Sequence, residues 1–276
     1  MFTLIIPVYN EENSIDSLFD KLYKIKDVSK DIEIIIVDDC SSDNSYNYLK
    51  EKSKNLSIKL IKNEVNKGYG YSIKRAIKVS QTNTIAICDC DGTYPIEEVI
   101  KMFAIYKNES ADMIIGKRNF EKNASSILKN FGRNIIGKIV NRLTEEKIPD
   151  FNSGLRIFDK NFLLENINIY PNGFSLTTTL TVLMKIDNKK VINYPIKYLP
   201  RIGKSKITAS DFFRFLKLVF YLMFYFKPFK ILLPINIIFL ISFSISLVYD
   251  LLKFDLTEKT LLLLFISMNM MMSTFI

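Results

Sequence analysis

Residues 1–205 predict an α/β fold with a mostly parallel sheet, and three observations lead there. Short runs rich in Ile and Val alternate with longer stretches of helical periodicity, the pattern of strands joined by crossover helices. Several of those runs stop at clusters of Asp, Asn, Ser and Gly, as strands do where they leave a sheet. Composition then changes after Pro228 to almost entirely Ile, Leu, Phe, Ser and Met, so the polar head ends before that point.

The strands are expected at Thr3–Val8, Glu33–Val37, Ser57–Ile61, Thr84–Cys88 and Met113–Ile115. After the first, Ile15, Leu18, Leu22 and Ile25 recur at helical spacing. After the second, 43–54 is expected to be helical, with Ser41 or Ser42 available as N-cap. A further helix is expected from near Tyr71. In an open parallel sheet, ligands bind beyond the carboxyl ends of the strands. Those ends are polar here: Pro7-Val8-Tyr9-Asn10-Glu11-Glu12, Asp38-Asp39-Cys40-Ser41-Ser42-Asp43 and Asp89-Cys90-Asp91-Gly92-Thr93-Tyr94-Pro95. Three acidic loops are therefore expected to converge on one crevice.

Beyond the head, residues 206–230 form a basic juxtamembrane segment and 231–276 a transmembrane region. Ile231–Tyr249 is nineteen residues without a charge, about 28 Å of helix against a hydrocarbon core of about 30 Å. A second run, Leu261–Ile276, is slightly short for a span and gives a count of about two helices. Between Arg201 and Lys230 there are seven Lys or Arg and one Asp, an excess that marks the cytoplasmic side. Asp211, Arg214 and Lys217 fall at helical spacing among Phe212, Phe213, Phe215, Leu216 and Leu218, which describes an interfacial helix. The N-terminal apolar run is too short for a signal peptide, so the head is expected to remain cytoplasmic. Anionic membrane lipids then account for much of the net charge of +9, with no need for nucleic acid. Three cysteines, Cys40, Cys88 and Cys90, suit a reducing compartment and free thiols better than a disulfide framework. The oligomeric state is left open, a homo-oligomer included.

In Asp89-x-Asp91 the carboxylates are two residues apart on an extended segment and project to one side. Two hard oxygen ligands suit Mg2+ or Mn2+ completed by substrate phosphate oxygens; an Asp-Gly turn is the structural alternative. Asp39, with Asp38 before it, is placed to accept hydrogen bonds from a base or ribose, or else to cap a helix. Pro7 and Tyr9 shape either a flat slot for a base or an ordinary strand exit. Lys67, in Asn66-Lys67-Gly68-Tyr69-Gly70, stands before a helix where backbone N–H groups face either phosphates or a turn. The spacing is not that of a P-loop or a dinucleotide fingerprint.

Taken in order, PVYNEE, VDDCSSD, NKGYG, DCDGTYP, GKR and SGLRIF resemble the family 2 glycosyltransferases, and within them the polyprenyl-phosphate sugar transferases, the dolichyl-phosphate mannosyltransferase and GtrB-like group. The resemblance implies a GT-A fold. It places Pro7, Tyr9, Glu11 and Asp39 along the nucleotide and Asp89 and Asp91 at the ribose, diphosphate and metal. It makes Arg118, Arg133 and Arg201 ligands of an acceptor phosphate, for which guanidinium forks are well shaped; Arg156 is assigned to bracing the loop before it. Thr93 departs from the Gln that many dolichyl-type members carry there and leaves the third metal ligand undefined.

The expected reaction is inverting, metal-dependent transfer of a hexose-type sugar from a nucleotide-diphosphate sugar to a polyprenyl phosphate, undecaprenyl or dolichyl. The chain contains no His, so imidazole chemistry is excluded. A phosphate acceptor is mostly ionised at neutral pH, with a second pKa near about 6, and needs no general base. Asp150 is the candidate to orient that acceptor or act as base, or else a loop-capping carboxylate. Two other readings stand beside this one. Elongation of a polysaccharide or glycolipid hydroxyl is disfavoured in its processive form by the lack of any Trp; an inactive GT-A scaffold is disfavoured by the intact Asp39, Asp89 and Asp91.

Overall fold

The computed structural model describes residues 1–29, 32–119, 137–138, 140–141, 144–146, 148–199 and 209–275. They fall into two units, Met1–Phe212 and Phe213–Ile276.

The first unit is built on seven strands: β1 (Phe2–Val8), β2 (Ile32–Asp38), β3 (Ile58–Lys62), β4 (Thr84–Ile87), β5 (Met113–Asn119), β6 (Arg156–Asp159) and β7 (Val191–Lys197). Their order in the sheet is β3-β2-β1-β4-β6-β5-β7. All pairings are parallel except those of β6, which runs against both β4 and β5. Among the described residues of this unit the helices include α1 (Ile15–Val28), α2 (Ser45–Lys52), α3 (Tyr69–Val79), α4 (Val99–Asn108), α5 (Lys160–Glu165) and α6 (Leu176–Ile186).

Every residue of β1 is buried, as its mostly apolar sequence, broken only by Thr3, suits a strand covered on both faces. The pleat divides it. Phe2, Leu4, Ile6 and Val8 join Ile15, Leu18, Phe19, Leu22 and Ile25 of α1 and Val99 and Met102 of α4 in one core. Ile5, Ile35 and Val37, on the other face, are fully buried outside that core, as are Ile73, Ala76 and Ile77 of α3. Each such side chain contributes about 1.5–3 kcal/mol on burial.

The strand order determines where a ligand can sit. β2 and β3 add on one side of β1 and β4 on the other, so the winding reverses between β1 and β4, and a crevice opens beyond their carboxyl ends. Backbone bonds carry the sheet to its rim there: Asp39 N–H donates to Val8 O at 2.8 Å and Cys88 N–H to Ile5 O at 3.1 Å. Because β6 is antiparallel, its first residue lies at the same rim, with Arg156 opposite Ile87 of β4 and Ile115 of β5.

The five expected strands are present within a residue or two, except that β5 runs on to Asn119. β6 and β7 are additions. β7 carries Pro195 but lies at the end of the sheet order, where a missing donor costs no ladder bond. The helix expected over 43–54 is shorter, and its N-cap is Asn44. Ser41 Oγ instead accepts from Asn10 N–H at 3.0 Å and Ser42 N–H donates to Asn10 Oδ1 at 2.8 Å, so both serines tie the first loop to the second.

The later helices are α7 (Ala209–Phe226), α8 (Pro228–Lys253) and α9 (Glu258–Phe275). α7 and α8 are separated at Lys227, with Pro228 at the first helical turn, where its missing N–H costs nothing. The predicted first span lies inside α8, whose 26 residues extend about 39 Å. α8 ends at Phe254 in the left-handed conformation. Asp250 Oδ2 then accepts from Thr257 N–H at 2.8 Å and from the hydroxyls of Thr257 and Thr260 at 2.7 Å. The second predicted span, Leu261–Ile276, is helical as far as Phe275, in a helix that begins with Glu258 and Lys259 and contains Asn269. Among the described residues, α8 is the one helix long and apolar enough to cross a membrane.

Candidate active site

At the β1/β4 rim lies a cavity of about 320 Å3, bordered by Pro7, Tyr9, Glu11, Asp39, Asp89, Asp91 and Arg118 among others. Six of the expected nucleotide, metal and catalytic residues and one expected acceptor ligand thus share one space, because each lies at or just beyond the carboxyl end of a strand in the sheet.

Asp39 is 4% exposed. Its Oδ1 accepts from Asn63 Nδ2 at 2.7 Å and from Lys67 N–H at 3.0 Å, and its Oδ2 from Gly68 N–H at 2.7 Å. Of the two expectations for this segment, donors facing phosphate or a turn, the turn is present, and its N–H groups hold a carboxylate. The turn depends on Gly68, whose φ of 96° is open to glycine and costly for other residues. Lys67 turns its ammonium to Tyr71, 4.7 Å above the ring, and is not part of the cavity wall. Asp38 faces inward, is fully buried and accepts from Ser41 N–H at 3.2 Å.

Asp89 accepts from Tyr69 Oη at 2.8 Å through Oδ1. Burial, and then the charge of Asp89, push the Tyr69 hydroxyl well above its ordinary pKa, so it stays a donor at neutral pH. Asp91 Oδ1 accepts from Thr93 N–H at 3.1 Å and from Thr93 Oγ1 at 2.5 Å. Thr93 is fully buried and outside the cavity wall, and its two bonds hold the Asp91 carboxylate. Among the described residues no group of three or more His, Cys, Asp or Glu side chains forms a metal cage. Two carboxylates on an open cavity instead fit a hard divalent cation whose remaining ligands come from a diphosphate and water.

Arg118 and Asp150 form one unit. Arg118 Nε donates to Asp150 Oδ2 at 2.8 Å, Nη2 to Oδ1 at 2.7 Å, and the Arg118 backbone N–H to Oδ2 at 3.1 Å. The Asp150 side chain is 4% exposed and that of Arg118 16%. Burial disfavours the cation, but the Asp150 bonds and the neighbouring Tyr94 and Tyr198 outweigh it and raise the Arg118 pKa. Arg118 also lies 5.3 Å over the Tyr198 ring and borders the cavity, which Asp150 does not.

Arg156 is fully buried. It donates from Nη2 and Nε to Ser153 O at 2.6 and 3.1 Å, and from Nη1 to Thr177 O at 2.7 Å and Thr181 Oγ1 at 3.0 Å. Those bonds tie the loop before β6 to α6, the bracing expected of this residue. Burial pulls its pKa down to about 10, still protonated at neutral pH. Arg133 and Arg201 lie outside the described residues.

Tyr69, Tyr94, Asn152, Gly154, Phe174 and Tyr198 also border the cavity and were not singled out from sequence. Tyr69, Tyr94 and Gly154 stand in the motifs NKGYG, DCDGTYP and SGLRIF, and the Tyr94 hydroxyl accepts from Gly154 N–H at 2.7 Å. Phe174 and Tyr198 stand in segments with no local signature, and only the fold brings them here.

The fold has solved counterparts. Glucosyl-3-phosphoglycerate synthase from Mycobacterium tuberculosis, in complex with phosphoglyceric acid, superposes with a TM-score of 0.62 at 13% identity, covering 80% of this chain and 79% of that one. A mannosyltransferase from Pyrobaculum calidifontis in complex with GDP-Man and Mn2+ gives 0.54 at 16% identity, covering 74% and 58%. At these identities the likeness is one of fold, GT-A. In sequence, a dolichol-phosphate mannosyltransferase from Pyrococcus furiosus is 28% identical over 228 residues, which are 80% of this chain and 63% of that protein. Residues 3–166 match the model of glycosyl transferase family 2, and with more than half its length so matched, the chain belongs to that family.

Proposed function

We propose that the protein transfers a hexose-type sugar from a nucleotide-diphosphate sugar to a polyprenyl phosphate, with inversion, at the cytoplasmic face of a membrane. The observation that carries this reading is Arg118, a cationic side chain on the same cavity as Asp89 and Asp91, in a chain that also has a membrane-length apolar helix. The similarity to a dolichol-phosphate mannosyltransferase supports the acceptor class, and the excess of Lys and Arg before α8 supports the face.

In this reading Pro7, Tyr9, Glu11 and Asp39 hold the nucleotide. Asp89 and Asp91 hold Mg2+ or Mn2+, which when bound neutralises charge on the departing diphosphate. Arg118 binds the acceptor phosphate, joined by Arg133 and Arg201. An acceptor oxygen attacks the anomeric carbon, the bond to the diphosphate breaks, and the nucleoside diphosphate leaves. Asp150 fixes the guanidinium plane and removes no proton: both its oxygens are committed to Arg118, and a phosphate near neutral pH is already ionised. The pieces of the reaction are thus alignment and charge stabilisation. α7 exposes Phe220, Tyr221, Phe224 and Tyr225, the aromatic composition of a membrane interface, next to the basic residues that would meet anionic lipids.

Membranes containing the protein, supplied with polyprenyl phosphate and a panel of labelled UDP- and GDP-sugars, test the proposal. Label moving into the organic phase with one or two donors supports it. No transfer from any donor, with label appearing in a polysaccharide instead, rejects it.

A further inference from the structure

One residue of the cavity wall has a specific task in this account that follows from geometry. We propose that Tyr69 is a positioning residue for Asp89, and that its hydroxyl on one side and the Cα of Gly154 on the other hold the carboxylate in a single orientation toward the metal and diphosphate. The inference rests on the metal–diphosphate reading of Asp89 and Asp91 given above and names how one of those ligands is kept in place.

The phenol is itself held firmly. Tyr69 is the first residue of α3, and the turn that delivers it packs against a second loop through backbone atoms. A Cβ at Gly68 would stand 2.6 Å from Asn172 O, and one at Gly70 2.4 Å from Pro171 O. Tyr71 N–H donates to Asn172 O at 3.1 Å. The Tyr69 ring then stacks on Phe174 with centroids 5.4 Å apart and planes 28° apart. With backbone and ring both constrained, the hydroxyl has one place to point, and it lies 2.8 Å from Asp89 Oδ1.

Gly154 packs closely on the same carboxylate. A Cβ on Gly154 would stand 2.2 Å from Asp89 Oδ2, 2.5 Å from Cγ and 2.7 Å from Oδ1, so the carboxylate rests where a larger residue's side chain would be. Gly154 in turn is anchored by its N–H bond to Tyr94 Oη. Asp89 is therefore clamped between two loops. The first of them also presents the N–H groups of Lys67 and Gly68 to Asp39, so one short turn sets the position of two cavity carboxylates. Outer partners of this kind orient a metal ligand, and their removal weakens metal affinity about 10–100-fold.

The test is calorimetric binding of UDP and of GDP to the full chain in detergent, with and without Mn2+, for wild type, Y69F, D89N and the double variant. Y69F is expected to weaken Mn2+-dependent binding about 10–100-fold and to have no further effect once Asp89 is already Asn. Wild-type binding by Y69F where D89N has lost it, or additive losses in the double variant, overturns the role of Tyr69 and leaves the metal site standing. Unchanged Mn2+-dependent binding by D89N overturns the metal site and this inference with it. Should Y69F not fold, G154A, which keeps the phenol but drives the carboxylate from its place, is compared with D89N by the same cycle and the same criteria.

Discussion

Asp150 meets the guanidinium of Arg118 along two nearly parallel bonds, Nε to Oδ2 at 2.8 Å and Nη2 to Oδ1 at 2.7 Å, while the backbone N–H of Arg118 closes on the same Oδ2 at 3.1 Å. A carboxylate so occupied orients a cation. Bidentate pairing also fixes the plane of the guanidinium, which a lysine at position 118 cannot reproduce. R118K is expected to lower transfer about 100-fold, on the scale of losing one well-placed charge-stabilising group. D150A leaves a largely buried cation without its partner and is expected to cost about 3 kcal/mol of stability. Initial rates and the unfolding midpoint of each variant check the two numbers separately.

The pH dependence follows from which groups titrate. Burial raises the hydroxyl pKa values of Tyr69 and Tyr94, and Arg156, lowered to about 10, stays protonated through pH 8. None of these contributes a limb near neutrality. The rate is expected to rise with pH as the acceptor phosphate loses its second proton near about pH 6 and then to level. The residual activity of D150N should keep the same rising limb; its disappearance would assign the limb to Asp150.

Arg156 supplies a structural prediction. Its guanidinium satisfies the carbonyls of Ser153 and Thr177 inside the protein. In R156M the Ser153 carbonyl loses both Arg156 donors, at about 1–3 kcal/mol, while Thr177 O keeps the Thr181 hydroxyl at 3.0 Å. The variant is expected to unfold several degrees earlier and to be cut by chymotrypsin after Phe151 at concentrations that leave wild type intact.

The thiols give a test of the strand ends. All three cysteines are free. Cys88 is buried, and burial, followed by the charges of Asp89 and Asp91, pushes its pKa well up; Cys90 is 4% exposed. Reaction with iodoacetamide under native conditions should label Cys40 alone, and all three after denaturation. Native labelling at Cys88 would mean that the β4 end is not enclosed as described.

What the sequence made legible was whatever local chemistry determines. β1 and β2 are mostly apolar runs, broken only by Thr3 and Glu33 near their starts and followed by Asn and Asp, so strand, strand end and acidic cavity wall could be read together. β7 was hidden by Pro195, an acceptable residue only because the strand sits at the sheet edge, and edge position is a property of topology. β6 was hidden by its length of four residues and by starting on a charged Arg that the fold buries. The same division holds at the cavity. Asp39, Asp89 and Asp91 announced themselves by type and spacing. The donors that hold them did not: the amides of Lys67 and Gly68 were read as facing either a phosphate or a turn, and Tyr69 reaches Asp89 only because a separate loop fixes the turn that carries it.

A phosphate acceptor and an alcohol acceptor would give different lipid products. Purified protein with its preferred nucleotide sugar and divalent cation should be offered, in parallel, a polyprenyl phosphate and the matching polyprenol without phosphate. The account predicts a lipid-soluble glycosyl phosphate from the first, dependent on the cation, and no product from the second. Equal glycosylation of the free alcohol, or full activity in excess chelator, would contradict it.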